Sequence, residues 1–197
     1  MKYNKTIEIN KKTKQIETKK EERIIMINKF IRENKIAAGL LAVLRLYLGW
    51  HWMTGGWGKI TGGGFDASGF LTNAIANPIA DKATGAAVYP TYTAFIETFA
   101  LPNVELFNVL VPWGEFLIGV GLILGCLTTA AMFFGLMMNF MFMFAGTVST
   151  NPWMVLLGVI ILAAGANAGK FGADYYVLPY HKNIVKFGKK KEAVHAA

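Results

Sequence analysis

The chain has little cysteine and little charge. Its 197 residues include one cysteine, Cys126, which excludes a disulfide framework and any pair of exchanging thiols. Only 16% of the residues are charged, whereas soluble domains carry about a quarter, and 54% are hydrophobic. This balance argues against an ordinary soluble domain and favours a membrane protein.

Charge is almost absent from the middle of the chain. Residues 36–169 contain three basic side chains, while residues 1–35 hold eleven Lys/Arg and residues 170–197 hold six Lys. Each basic tail adjoins an apolar segment, so the tails indicate an anionic membrane surface rather than a nucleic acid. We therefore expect the lipid bilayer as a partner and no nucleic-acid partner.

Four apolar segments are long enough to cross a bilayer, which takes ~20 residues each. They predict an all-α membrane protein, a four-transmembrane-helix bundle with helices at about 35–57, 107–126, 128–147 and 152–170. An even number of crossings puts both basic termini on one side, and the positive-inside bias makes that side cytoplasmic. The expected location is the cell (plasma) membrane, with multiple passes.

The segment between the first two helices, residues 61–106, is long and would then be extracytoplasmic. Gly62–Gly64 marks a break at the end of helix one, and Asp66 or Ser68 is suited to cap a short helix after it. The aromatic residues of YPTYTAFIETFALPN suit a segment in the membrane interface. We expect short helices that form a lid over the outer mouth of the bundle.

The two ends of the chain are interpreted as tails around one membrane domain, residues 35–180. Residues 1–34 are rich in Lys and Glu and are expected to form a basic cytoplasmic tail that is largely disordered. Residues 181–197 are expected to form a second basic cytoplasmic tail.

Helix one carries polar residues where lipid is expected. At 100° per residue, one narrow stripe collects Arg45, Gly49, Trp52, Gly56 and Lys59. His51 lies about 120° from that stripe. The stripe predicts a cationic face that contains small residues and a tryptophan and points into the bundle.

The helical rise places Arg45 near mid-membrane and puts Glu115 of helix two within its reach. An unpaired charge at that depth is costly, so we predict that Arg45 and Glu115 face each other, with His51 and Trp52 nearby. A structural ion pair that only fixes helix register is the alternative. Asn139 is expected near mid-membrane, where bonding between helices is its alternative role.

Familiar catalytic and cofactor signatures are not visible in the sequence. His51 is the only histidine in a predicted crossing, which does not support a haem with two histidine ligands. The methionine-rich stretch MFFGLMMNFMFMF is typical of adaptable packing more than of copper binding. We therefore predict no metal site and assign no haem or flavin.

Two stretches resemble a known family. LRLYLGWHWMTGGWGKI, residues 44–60, resembles the opening signature of the DoxX/DoxD-like membrane proteins, an Arg followed by a run of small and aromatic residues and then G-x-x-K-[IL]. WGEFLIGVGLILGCLTTAAM resembles the family's second element, an intramembrane Glu followed by a Gly-rich helix and a tight turn. The resemblance covers about 36–180, and the long outer segment is closer to the DoxD branch.

The DoxD-like resemblance implies the membrane subunit of a thiosulfate:quinone oxidoreductase, which works beside a separate DoxA subunit. We expect a subunit of a quinone-linked system that oxidises thiosulfate or a similar small reduced anion at the outer face. Under this hypothesis Arg45, Glu115 and His51 are catalytic. The residues expected to bind substrate or quinone are Trp52, Lys59, Gly56 and Asn139.

Two other functions fit the same sequence. One is a non-enzymatic membrane anchor or docking partner for a separate redox enzyme, in which the polar core only specifies helix packing. The other is a small polar-solute or proton-coupled carrier that uses the Arg/Glu/His group as a relay, for which a homodimer would supply the pathway.

Overall fold

The computed structural model describes residues 2–177, with side chains for residues 13–177. In this part of the chain the α-helices are α1 (Lys2–Glu33), α2 (Lys35–Thr61), α3 (Ser68–Ala76), α4 (Pro90–Phe95), α5 (Val104–Leu124), α6 (Thr128–Phe144) and α7 (Asn151–Ala164). A π-helical turn, Ile96–Ala100, follows α4, and a 3-10 turn, Gly165–Gly169, follows α7. The predicted tail at 181–197 lies outside the described residues.

Three helical segments are long and apolar enough to cross a membrane: Lys35–Thr61, Val104–Leu124 and Asn151–Gly169. α6 is equally apolar but has 17 residues, about 25 Å of helix, and is shorter than the predicted 128–147 span. The predicted all-α fold with membrane-length helices is confirmed. The four bundle helices begin at residues 35, 104, 128 and 151, against predicted starts of about 35, 107, 128 and 152.

Four helices close around one core. α2 packs along α5, α5 along α6, and α6 along α7, and α7 with its 3-10 turn returns to α2. Each helix contributes one completely buried apolar side chain to the centre: Leu48, Leu122, Met132 and Ile161. The outer faces carry exposed apolar side chains, which in α2 recur every three or four residues at Ile36, Leu40, Val43, Tyr47 and Trp50. A bundle that is apolar outside as well as inside is typical of helices surrounded by lipid.

Two glycines bring the backbones of α2 and α5 into contact. A Cβ added at Gly119 of α5 would overlap the backbone of Met53, and one at Gly56 of α2 would overlap the backbone of Phe116 and lie 2.6 Å from the Pro112 carbonyl oxygen. This close approach fixes the antiparallel register of the two helices. The predicted stripe of helix one is confirmed as its buried face, from Arg45 through Trp52 to Gly56.

Residues 62–103, here called the lid, connect α2 to α5. As predicted, the glycines after α2 break the helix, with φ of 90° at Gly63 and 120° at Gly64. Asp66 then accepts the Ser68 N–H at 2.9 Å where α3 begins. The lid has its own apolar core, which includes Leu71, Ile96 and Ala145 from the end of α6.

A tyrosine hydroxyl ties the lid to α6. The Tyr92 O–H donates to the Met141 carbonyl oxygen at 2.8 Å, and burial raises the pKa of Tyr92 to about 12. We call the end of the bundle beneath the lid the lid end, and the opposite end, where α1 meets α2, the tail end.

The tail predicted as largely disordered differs from the structure, in which Lys2–Glu33 forms α1. Residues 1–38 contain no glycine and no proline, and Lys, Glu and Gln lose little rotamer freedom in a helix. The prediction considered the high charge of the segment and not the high helix propensity of its residues. A single extended residue, Asn34 (φ −74°, ψ 136°), separates α1 from α2, and its side chain accepts the N–H groups of Ile36 and Ala37.

Gly119→Ala is expected to destabilise the bundle by about 1–3 kcal/mol, because the new methyl group forces α2 and α5 apart. Thermal unfolding in one detergent, followed by circular dichroism, measures the loss. Gly39→Ala is the matched control, since Gly39 is also helical but has no neighbouring atom within 4 Å. Equal melting temperatures for the two variants would contradict the assigned contact.

Candidate functional site

An ion pair lies beneath the lid. Lys59, in the last turn of α2, donates from Nζ to Glu115 Oε2 at 2.6 Å. The glutamate side chain is 5% exposed and the lysine side chain 31%. Lys59 Nζ also lies 5.9 Å from the centre of the Phe65 ring, at the start of the lid. The pair therefore joins the buried face of α5 to the junction between α2 and the lid.

The prediction that Arg45 faces Glu115 is wrong. The register set by Gly56 and Gly119 places Lys59 opposite Glu115 and places Arg45 against Gly125, at the other end of α5. Ten residues of helix, about 15 Å, separate Gly125 from Glu115. Arg45 is accordingly level with the turn between α5 and α6 rather than in the middle of the bundle.

Two further polar side chains are buried without partners. Asn139 of α6 is completely buried, and neither its Nδ2 nor its Oδ1 has a hydrogen-bond partner. Trp52 of α2 is 4% exposed, and its Nε1 also has none. An unsatisfied buried donor or acceptor costs about 1–3 kcal/mol, so each such atom in a folded protein calls for an explanation.

The unpartnered atoms lie within about two helical turns of the ion pair along the bundle. A Cβ built on Gly135 would lie 3.2 Å from Trp52 Nε1 and 3.3 Å from a methyl carbon of Ile118. Glu115 is one turn from Ile118, and Asn139 is one turn from Gly135, in both cases towards the lid end. We call the resulting set the lid-end polar group: Trp52, Lys59, Glu115 and Asn139.

Two other predicted site residues lie outside this group. His51 is exposed on the outer face of α2, where its ring meets Tyr47 edge-on with 4.9 Å between the ring centres. Gly56 is buried at the contact with α5, so its structural role is to permit close packing. The structure thus brings together Glu115 and three of the four predicted binding residues, and separates them from Arg45 and His51.

Arg45 belongs to a second buried polar group at the tail end. The side chain is 2% exposed, and its Nη2 donates to the Phe171 carbonyl oxygen at 3.2 Å, while Nε and Nη1 have no partner. Glycines at 125 and 172 leave the space that the guanidinium occupies. The charge of Asp174 faces the guanidinium and opposes the cost of burying it.

Asp174 is the residue of this group that sequence reasoning missed. Its carboxylate, 3% exposed, accepts the backbone N–H of Leu127 at 2.6 Å and of Thr128 at 2.9 Å, and so caps the start of α6. Its own N–H donates to the Gly125 carbonyl oxygen at 2.7 Å. The available signal was the position of Asp174, the only charged residue in 171–180, shortly after the end of the last predicted helix.

No group of three or more His, Cys, Asp and Glu side chains is placed to hold a metal ion among the residues that the structure describes. The lid-end polar group offers an ammonium, a carboxylate, an indole N–H and a carboxamide. Donors and acceptors of these kinds are chemically suited to hydrogen-bond carbonyl and hydroxyl groups and to exchange protons with them.

The arrangement of α2, lid, α5 and α6 coincides with a family match. The DoxX family model matches residues 40–149. The chain belongs to the DoxX family. The matched segment contains the whole lid-end polar group as well as Arg45, whereas Asp174 and α1 lie outside it. Comparisons with curated proteins and with solved structures gave no match.

Lys59→Met is expected to destabilise the protein more than Glu115→Gln. The first change leaves a buried carboxylate unpaired, whereas the second leaves an ammonium on a side chain that is already 31% exposed. Breaking a buried pair costs about 3–5 kcal/mol, and the exposure of Lys59 puts the expected loss at or below the lower limit. Thermal unfolding of both variants and of the double variant measures the asymmetry. Equal losses, with no recovery in the double variant, would argue against the pair.

Asp174→Ala is expected to cost about 2 kcal/mol or more, because it removes the cap of α6 and the charge facing Arg45. In an Arg45→Met background the loss should shrink to that of the cap alone. Glu97→Ala, at an exposed position in the lid, is the control and should change stability by less than about 0.5 kcal/mol. An identical loss in both backgrounds would mean that Arg45 and Asp174 are not coupled.

Proposed function

We propose that the chain is the membrane subunit of a quinone-linked oxidoreductase system, and that the lid-end polar group binds the quinone head. The observation that carries the proposal is the pair of buried, unpartnered polar side chains, Trp52 and Asn139, beside the Lys59–Glu115 ion pair. The DoxD-like features of the sequence agree with this function. A separate oxidoreductase subunit acts as the partner.

The donors and acceptors match the chemistry of a quinone. Each quinone carbonyl oxygen accepts hydrogen bonds, which the indole N–H of Trp52 and the amide of Asn139 supply. The same Asn139 side chain presents a carbonyl oxygen that accepts the O–H of the reduced quinol. One residue thus serves both redox states, and binding relieves the cost of leaving these atoms unpaired.

The ion pair is placed to supply protons. Reduction of a quinone to a quinol takes two electrons and two protons. The Lys59 ammonium donates a proton, and the Glu115 carboxylate paired with it accepts a proton from the aqueous side and passes it on for the second transfer. Lys59 is partly exposed at the base of the lid, which gives it contact with the aqueous side. The electrons come from thiosulfate or a similar small reduced anion: two thiosulfate ions that join through a new S–S bond release two.

The proposed orientation puts the lid outside the cell and both termini in the cytoplasm. The basic excess of residues 1–35 and 170–197 supports it, since positive loops stay on the cytoplasmic side. The lid carries four acidic or basic side chains: Asp66, Asp81, Lys82 and Glu97. The reduced anion then meets Lys59 from the outside, while quinone arrives from the lipid side.

One observation favours a second candidate, a non-enzymatic anchor for a separate redox enzyme. Lys59 neutralises Glu115, and Asp174 opposes the charge of Arg45, so both polar groups also suffice as structural devices that fix helix register. In that case the lid is the docking surface, and substitutions in the lid-end polar group leave partner activity unchanged.

Quinone binding is tested with protein isolated in native-lipid nanodiscs, whose extracted lipids are analysed by mass spectrometry. We expect stoichiometric quinone in the unaltered protein and at least about a tenfold loss in Trp52→Phe and Asn139→Leu, since a site built on hydrogen bonds discriminates by ~1–3 kcal/mol for each one lost. Trp153→Phe is the matched control, because Trp153 is 67% exposed on α7.

Quinone retained at the control level in both variants would refute this site. A complete absence of quinone from the unaltered protein, with partner activity intact, would instead support the anchor. Circular dichroism of each variant establishes that a loss of quinone does not reflect a loss of fold.

A further inference from the structure

Among the side chains that the structure describes, those of the last turn of α1 attach it to the bundle. Arg32 Nε donates to the Ala163 carbonyl oxygen at 3.0 Å, and Asn167 Nδ2 donates to the carbonyl oxygens of Ile31 and Asn34 at 2.8 and 3.0 Å. Side chains from position 13 to position 30 are all exposed. Residues 13–30 of α1 therefore lie outside this chain's own core.

One face of α1 combines apolar and cationic side chains. Residues at alternating spacings of four and three lie within a sector of about 80°: Ile16, Lys20, Arg23, Ile27 and Phe30. The three apolar members are between 50% and 67% exposed. We call this set the basic stripe.

Acidic side chains avoid the basic stripe. Between positions 13 and 33 there are four glutamates, and all of them lie about 100° or more from its centre: Glu17, Glu21, Glu22 and Glu33. The stripe thus offers positive charge and apolar surface together, while the negative charge of the helix points elsewhere.

The start of α2 locates α1 relative to lipid. α1 ends at Glu33, and the exposed apolar face of α2 begins three residues later at Ile36, which is 72% exposed, and continues through Leu40 and Val43. Because that face is surrounded by hydrocarbon in a membrane-spanning helix, the end of α1 lies at the level of the lipid headgroups. The extended Asn34 turns the chain between the two helices.

We propose that α1 is an interfacial helix that binds an anionic lipid surface through the basic stripe. Lys20 and Arg23 meet phosphate groups, and Ile16, Ile27 and Phe30 enter the boundary between headgroups and acyl chains. The same spacing also occurs in helix pairs, but two copies would bring Lys20 and Arg23 against their counterparts with no acidic residue in the stripe to compensate. Charge therefore favours lipid over a second copy.

The test measures hydrogen–deuterium exchange of residues 13–30 in the full chain, reconstituted one molecule per nanodisc. Nanodiscs of phosphatidylcholine are compared with nanodiscs of phosphatidylcholine and phosphatidylglycerol in equal amounts. We expect exchange to be at least about tenfold slower in the anionic nanodiscs. Lys20 and Arg23 each contribute ~1 kcal/mol of attraction to such a surface, and every ~1.4 kcal/mol corresponds to a tenfold change.

Lys20→Gln with Arg23→Gln should abolish the difference between the two lipids. The matched control is Lys14→Gln with Lys29→Gln, which removes the same charge from positions about 140–160° away from the centre of the stripe. Equal exchange in both lipids, or equal effects of the two double variants, would overturn the proposal. Slow exchange that appears only with two molecules per nanodisc, and is the same in both lipids, would overturn it in favour of a second copy.

Discussion

The backbones of α2 and α5 touch at Gly56 and Gly119, and most of what is distinctive in this protein depends on that contact. Because no Cβ lies between them, the two backbones approach closely. Only one alignment of α2 along α5 places both glycines at this contact. That register sets Lys59 opposite Glu115 at the lid end and Arg45 opposite Gly125 at the tail end. In lipid, where apolar surface is not driven together by water, such backbone proximity is a main source of helix association.

Each of the two buried polar groups contains opposite charges, but the groups differ in how the hydrogen-bonding capacity of their side chains is used. At the tail end, the Asp174 carboxylate is used fully, since its oxygens accept two backbone N–H groups while its charge faces Arg45. At the lid end, Trp52 and Asn139 hold hydrogen-bonding capacity that no neighbour uses. Arg45 also keeps two unpartnered nitrogens, Nε and Nη1, but the charge of Asp174 opposes the cost of burying them, whereas no opposite charge compensates the neutral side chains of Trp52 and Asn139.

Sequence periodicity was enough to predict the helices, the buried stripe from Arg45 to Gly56, the break at Gly62–Gly64 and a lid of short helices. It was not enough to pair the charges. The depth arithmetic assumed that all helices start at one level, but α2 extends about 15 Å beyond the turn between α5 and α6, so Arg45 lies far from Glu115. Contact register depends on which glycines meet, and one sequence does not reveal that.

The cap that Asp174 provides has a consequence for the order of biogenesis. The carboxylate reaches the N–H of Thr128 across 46 residues of chain, so α6 and α7 must both have left the ribosome before the start of α6 acquires its acceptor. Until then the turn between α5 and α6 is held by local bonds alone, and Arg45 has no counter-charge. Assembly of the bundle is thus completed by its last segment, which packs against the tail end after the helices are in place.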